Sequence, residues 1–203
     1  MRIVIICEGK TEQAFKVCLH EFLKSRLGSI QKMPKLVFDV HNGAIPTEDK
    51  LKRVVTNLLT AKKNPANAVI ALTDAYPAFV DAEDAKSKIR QWVGAQPHFY
   101  PHVALHDFEA WLLPYWGEIQ KLSGRKAAAW GTQPERVNHG NPPAHRLGRM
   151  FEEGTCRDSY QKPRDAGRIL RGVDLLVSIQ NCPELKAFVN TILKLCDPSA
   201  VIP

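Results

Sequence analysis

Three apolar runs in this 203-residue chain end on acids. Ile3-Val4-Ile5-Ile6-Cys7 leads into Glu8, with Glu12 one helical turn further on; Ala68–Thr73 leads into Asp74; Tyr100–Leu105 leads into His106, Asp107 and Glu109. The opposite ends of the runs carry none: they begin at Arg2, Asn67 and Tyr100, and a shorter run begins at Lys35. Carboxylates brought together raise one another's pKa, and a divalent cation removes that penalty. Mg²⁺ takes oxygen ligands, commonly one or two protein carboxylates with water and phosphate completing the shell. At such a centre it can activate water and stabilise a phosphoryl transition state. Glu8, Glu12, Asp74, Asp107 and Glu109 are therefore the candidate ligands for Mg²⁺ or Mn²⁺. Several also have a purely structural use. Glu12 and Glu109 suit the first turn of a helix, Asp107 suits an N-cap, and Asp74 can start an Asx turn ahead of Pro77.

The elements that must position these acids can be read from hydrophobic periodicity. Continuous apolar character over 2–7, 68–73 and 100–105 implies strands buried on both faces, and 35–40 forms a shorter one. Between them lie helical patterns at 11–27, 47–63, 81–93 and 107–115; in the first, Ala14, Phe15, Cys18, Leu19, Phe22 and Leu23 make one apolar face. Strand and helix alternate four times, which predicts an α/β fold: a Rossmann-like, mostly parallel four-stranded sheet flanked by helices. In such a sheet the loops leaving the carboxyl ends of the strands meet at one edge, and ligands bind there. The acids should therefore converge. After Trp116 the texture changes to a stretch rich in Gly, Pro, Asn and His, followed by helices at 144–153, 163–171 and 183–196. The expected organisation is a core over 1–116 and a basic helical extension over 117–203.

The net charge of +7 is concentrated in that extension. Lys121 to Arg171 holds eleven Lys and Arg against five Asp and Glu, leaving about +1 for the rest of the chain. A local basic patch suits a polyanion such as DNA or RNA, and Lys10, Arg146, Arg149, Arg164 and Arg168 are the candidate backbone contacts. A solvated surface would have the same composition. The five cysteines are odd in number and include no C-x-x-C pair, so neither a disulfide framework nor a zinc knuckle is indicated. A reducing, cytoplasmic setting fits. No apolar run approaches the ~20 residues that span a bilayer. Gly9-Lys10-Thr11 is not a phosphate-binding P-loop, because Val4 stands where its first glycine should be.

The apolar strand followed by Glu8-Gly9-Lys10-Thr11-Glu12 and a helix, then a second strand ending at Asp74, resembles a Toprim domain, the fold shared by topoisomerases, primases and OLD-type nucleases. More narrowly the chain resembles a bacterial family of unknown function, DUF4276. That resemblance rests on Cys7–Glu12, on Asp74-Ala75-Tyr76-Pro77, on Leu105–Leu113, and on the Lys162-Pro163 and Cys182–Leu185 stretches. It implies that Glu8 is a metal ligand or general acid/base, Glu12 the second acid of an E-x-x-x-E pair, Asp74 the first acid of D-x-D, and Glu109 an acid after the next strand. Lys162 would be a late lysine that supports transition-state charge. It further implies a metal-dependent nuclease of a phage-defence module, working with an ABC-type ATPase, with oligomeric state left open. The pattern departs at Tyr76, which occupies the second position of D-x-D. Asp107 and Glu109 are the acids at hand to compensate. The same departure motivates the alternative: a non-catalytic, degenerate Toprim subunit that senses or docks to an ATPase.

Overall fold

The computed structural model describes residues 1–28, 33–137, 140–156 and 159–203. Arg157 and Asp158, counted above in the basic segment, lie outside the described residues. Strands β1 (Arg2–Cys7), β2 (Lys35–Val40), β3 (Ala68–Asp74) and β4 (Phe99–Ala104) form one sheet in the order β2-β1-β3-β4, with every pairing parallel. The strand limits agree with the apolar runs to within one residue. Ile3, Ile5, Ile70 and Leu72 face α1 (Lys10–Leu27), whereas Val4, Ile6, Val69 and Ala71 face α2 (Glu48–Thr60) and α3 (Ala82–Val93). Both faces are covered, which is why the strands read as unbroken apolar runs rather than alternating ones.

The topology decides where a ligand can bind. From β1 the chain crosses to β2 on one side, then returns past β1 to place β3 and β4 on the other. Strand order reverses between β1 and β3, and the crevice outside the carboxyl ends of the strands at such a switch point is the binding position of open α/β sheets. Glu8 directly follows β1, and Asp74 is the last residue of β3.

The predicted helix after β4 is instead a 3-10 helix, Phe108–Tyr115, with Pro114 inside it. Proline lacks the N–H that an α-helical ladder would use. Then come α4 (Trp116–Ser123), α5 (Pro143–Glu152), α6 (Lys162–Ile169), α7 (Leu175–Asn181) and α8 (Pro183–Cys196). Elements before and after Trp116 share one apolar core on the α1 face. At its centre Phe108 and Trp111 rings lie 5.3 Å apart, Phe15 and Phe108 5.7 Å, and Trp111 and Phe188 6.0 Å.

A buried acid ties α8 to this cluster. Glu135 Oε1 accepts from Trp111 Nε1 at 2.9 Å and from the Leu185 N–H at 3.2 Å, and Oε2 accepts from the Glu184 N–H at 3.0 Å. Its carboxylate therefore sits at the N-terminus of α8, where the helix dipole favours negative charge. Glu135→Ala would leave three donors without their acceptor, and we expect it to destabilise the fold by about 3 kcal/mol in denaturant unfolding. A loss under ~0.5 kcal/mol, the range of ordinary surface substitutions, would contradict that role.

Candidate metal centre

The exits of the strands are bound to one another through backbone. The Gly43 N–H donates to the Glu8 carbonyl at 3.0 Å, and the His41 N–H to that of Cys7 at 2.8 Å, joining the β2 and β1 exits. The Tyr76 N–H donates to the His106 carbonyl at 2.8 Å, joining the β3 and β4 exits. His106 adopts a left-handed φ of 63° to make that turn, a region histidine enters more readily than most side chains. The result is a cavity of about 250 Å³ lined by Glu8, Glu12, Asp74, Glu109 and Lys162 together with Gly9, Thr11, Gly43 and Phe108.

Each acid is held in its own way. Glu8 Oε1 accepts from the Asp74 N–H at 2.9 Å and from the Thr73 hydroxyl, which locks β1's exit to β3's. Asp74 Oδ1 accepts from the Phe108 N–H at 3.0 Å. Asp107 stands at the N-cap position of the 3-10 helix, yet its side chain does not cap it; Oδ2 accepts instead from the Ala144 N–H of α5 at 3.0 Å. The N-cap expectation is corrected in part: Asp107 holds the N-cap position, but its carboxylate is turned to α5, and its backbone carbonyl rather than its side chain accepts from the Ala110 N–H at 3.1 Å. Glu12 lies three residues into α1 with its carboxylate folded over Gly9: a Cβ there would stand 3.2 Å from Oε2. It thus closes back on the start of its own helix, as a capping-box glutamate does, while lining the cavity.

Burial and mutual repulsion govern the charges. Glu12, Asp107 and Glu109 are 5%, 6% and 1% exposed. Burial, then the neighbouring Glu8, Glu109, Glu12 and Asp107, push Asp74 well above the carboxylate range. Burial raises Glu12 to about 7, against support from backbone N–H groups and with further repulsion from Glu8 and Glu109. Asp107 also rises to about 7, through burial and then repulsion from Glu109. Glu8 and Glu109 are raised by burial, with Lys162 opposing the rise in both.

All five predicted acids thus lie within one electrostatic group. Among the described residues, however, no three His, Cys, Asp or Glu side chains are grouped as they stand so as to hold a metal ion. The donor chemistry suits a hard divalent cation: carboxylate oxygens, no thiolate or imidazole in the lining. Buried Asp107 Oδ1 has no hydrogen-bond partner, and an unpaired buried carboxylate oxygen costs free energy that a cation would offset.

The family described as "Domain of unknown function (DUF4276)" matches residues 7–193. The chain belongs to that family. No protein of curated function matches this DUF4276 chain. Among solved structures it is similar to the C-terminal region of the Burkholderia pseudomallei OLD protein, with a TM-score of 0.52, 14% identity, and 98% of each chain covered. It also matches the C-terminal region of the Xanthomonas campestris pv. campestris OLD protein, with a TM-score of 0.49, 16% identity, and coverage of 94% of this chain and 95% of that one. At 14% identity the first likeness is one of fold.

The basic residues are placed less simply than the acids. Lys10 is exposed on the first residue of α1, outside the cavity lining. Arg149 pairs with Glu153 at 3.3 Å. Arg164 pairs with buried Asp165 at 3.0 Å, and Arg168 lies 3.9 Å from the same carboxylate. Arg146 stacks over Trp130 and donates to the Asn141 carbonyl at 2.9 Å. Four of the five candidate backbone contacts of this DUF4276 chain are thus engaged within the fold. Tyr76 is 47% exposed and lies outside the lining. Thr73, Tyr160 and Ala144, which hold Glu8, Glu109 and Asp107, are functional neighbours that sequence reasoning missed. Only Thr73, a polar residue closing an apolar strand, left any signal.

Proposed function

We propose that this DUF4276 protein is a Mg²⁺- or Mn²⁺-dependent nuclease of the Toprim type that hydrolyses phosphodiester bonds. The observation that carries this reading is the convergence of Glu8 and Asp74, with Glu12 and Glu109, at the switch-point crevice beside one lysine, while Asp107 acts on Asp74 electrostatically from outside the lining. A bound divalent cation would supply charge neutralisation, an activated water and stabilisation of phosphoryl charge. Glu8 and Asp74 would be its principal ligands, with Glu12, Asp107 and Glu109 completing or supporting the set. Glu8, fixed by Thr73 and the Asp74 N–H, is positioned to hold or accept a proton at its carboxylate. Lys162 offers positive charge to a phosphate oxygen at the crevice mouth. Lys10 and those arginines able to leave their partners would hold the nucleic-acid backbone.

The family resemblance supports an ABC-type ATPase as partner and a role in bacterial defence in the cytoplasm. Among the described residues no helix is long and apolar enough to cross a membrane. The second reading, a non-catalytic subunit docked to such an ATPase, draws on Tyr76 and on the internal pairing of Arg149, Arg164 and Arg168. Incubating the protein with single- and double-stranded DNA and with RNA, in Mg²⁺, Mn²⁺ or EDTA, separates the two. Metal-dependent cleavage lost on EDTA supports the nuclease; no cleavage of any polynucleotide supports the docking subunit.

A further inference from the structure

Lys162 is the first residue of α6 and reaches the acidic crevice from the C-terminal half of the chain. Its Nζ stands 3.4 Å from Glu109 Oε1 and 3.5 Å from Oε2. Those separations exceed the 2.7–2.9 Å of a close charge-assisted hydrogen bond, so the ammonium sits in the field of Glu109 rather than in a tight bond. The partners differ sharply in exposure: the lysine side chain is 51% exposed, that of Glu109 only 1%. Burial works against the ammonium's charge, but Glu109, then Asp74 and Asp107, more than offset it. Lys162 is also the one basic side chain in the cavity lining among the described residues. In the metal-free protein it therefore supplies one positive charge to Glu109, a part of the neutralisation that a divalent cation would supply.

We propose that Lys162 is an exchangeable counter-cation: it balances the charge of Glu109 in the metal-free protein and yields that carboxylate when a divalent cation enters. The inference rests on the metal-dependent reading of the site. An ammonium on a flexible four-carbon stem suits such a release. A guanidinium would not, because its fork can hold both Glu109 oxygens together. The exchange gives one residue two successive tasks: it offsets part of the charge at Glu109, and it leaves that carboxylate only after metal has arrived.

Calorimetric titration of Mn²⁺ into the wild type, Lys162→Met and Lys162→Arg tests this, paired with amine labelling of wild-type Lys162, with and without Mn²⁺, read by peptide mass spectrometry. Removing the competing charge should tighten Mn²⁺ binding roughly fivefold or more, the equivalent of about one unit-charge contact. Lys162→Arg should bind no tighter than wild type, and Mn²⁺ should raise the labelling of Lys162 several-fold. Equal or weaker Mn²⁺ binding by Lys162→Met, beside a wild type that binds, overturns the exchange and leaves the metal site standing. Labelling that is unchanged or reduced by Mn²⁺ does the same, and that measurement decides the matter alone should Lys162→Met not fold. Absence of Mn²⁺ binding by every variant overturns the exchange and the metal-dependent reading together.

Discussion

Asp74→Asn will lower metal-dependent cleavage by at least about 100-fold, since loss of even an outer partner of a metal ligand commonly costs 10–100-fold. The same substitution will raise the thermal midpoint of the metal-free protein. Asn keeps an oxygen to accept from the Phe108 N–H, which donates to Asp74 Oδ1 at 3.0 Å. It also removes a carboxyl that burial and four neighbouring acids push well above its ordinary range. Function and stability should therefore move in opposite directions, as expected where an active site is kept at a cost to the fold. A purely structural Asp74 would give the reverse sign, with stability falling alongside activity. Cleavage rates and melting curves of wild type and Asp74→Asn, at one pH and with metal chelated for the melts, read both quantities.

The second large effect is a metal-dependent response to pH. Glu12 and Asp107 are each raised to about 7 in the folded protein, from 4.5 and 3.8. Between those limits the folded state holds protons that the unfolded state has released. Stability from these groups is thus fully present below about pH 4, declines as pH rises, and is lost above about pH 7. The slope is at most roughly 1.4 kcal/mol per pH unit for each titrating group. Without metal, the melting temperature should fall as pH is raised from 5 to 8. Mn²⁺ at 100 times its dissociation constant should add about 2.7 kcal/mol at the upper end, ~5–10 °C in a domain of this size. It should add much less near pH 5, where protons occupy the carboxylates. Melting curves that rise with pH in the absence of metal would show that burial and mutual repulsion do not raise these carboxyls in the fold.

The parts of this site legible in the sequence are those fixed by local pattern. Unbroken apolar runs gave β1 and β3, and with them the positions of Glu8 and Asp74, because a strand buried on both faces leaves no alternative reading of where it ends. What could not be read was long-range. Nothing near Asp107 announces that its carboxylate caps α5 through Ala144, thirty-seven residues later. Nothing near Lys162 announces Glu109, fifty-three residues earlier. Helices α4 and α7, of eight and seven residues, are too short for their periodicity to stand out between Gly- and Pro-rich flanks. Charge counting found the basic segment, but not that buried Asp165 would engage Arg164 and Arg168, because composition carries no information about pairing.

Diffraction from crystals soaked in Mn²⁺, collected to record its anomalous signal, bears on the centre most directly. The expected map has a peak in the crevice between β1 and β3, bonded to carboxylate oxygens of Asp74 and Glu8, with the Lys162 ammonium withdrawn from Glu109. A map with no peak in that crevice, or with Mn²⁺ bound only to acids elsewhere on the molecule, would contradict it.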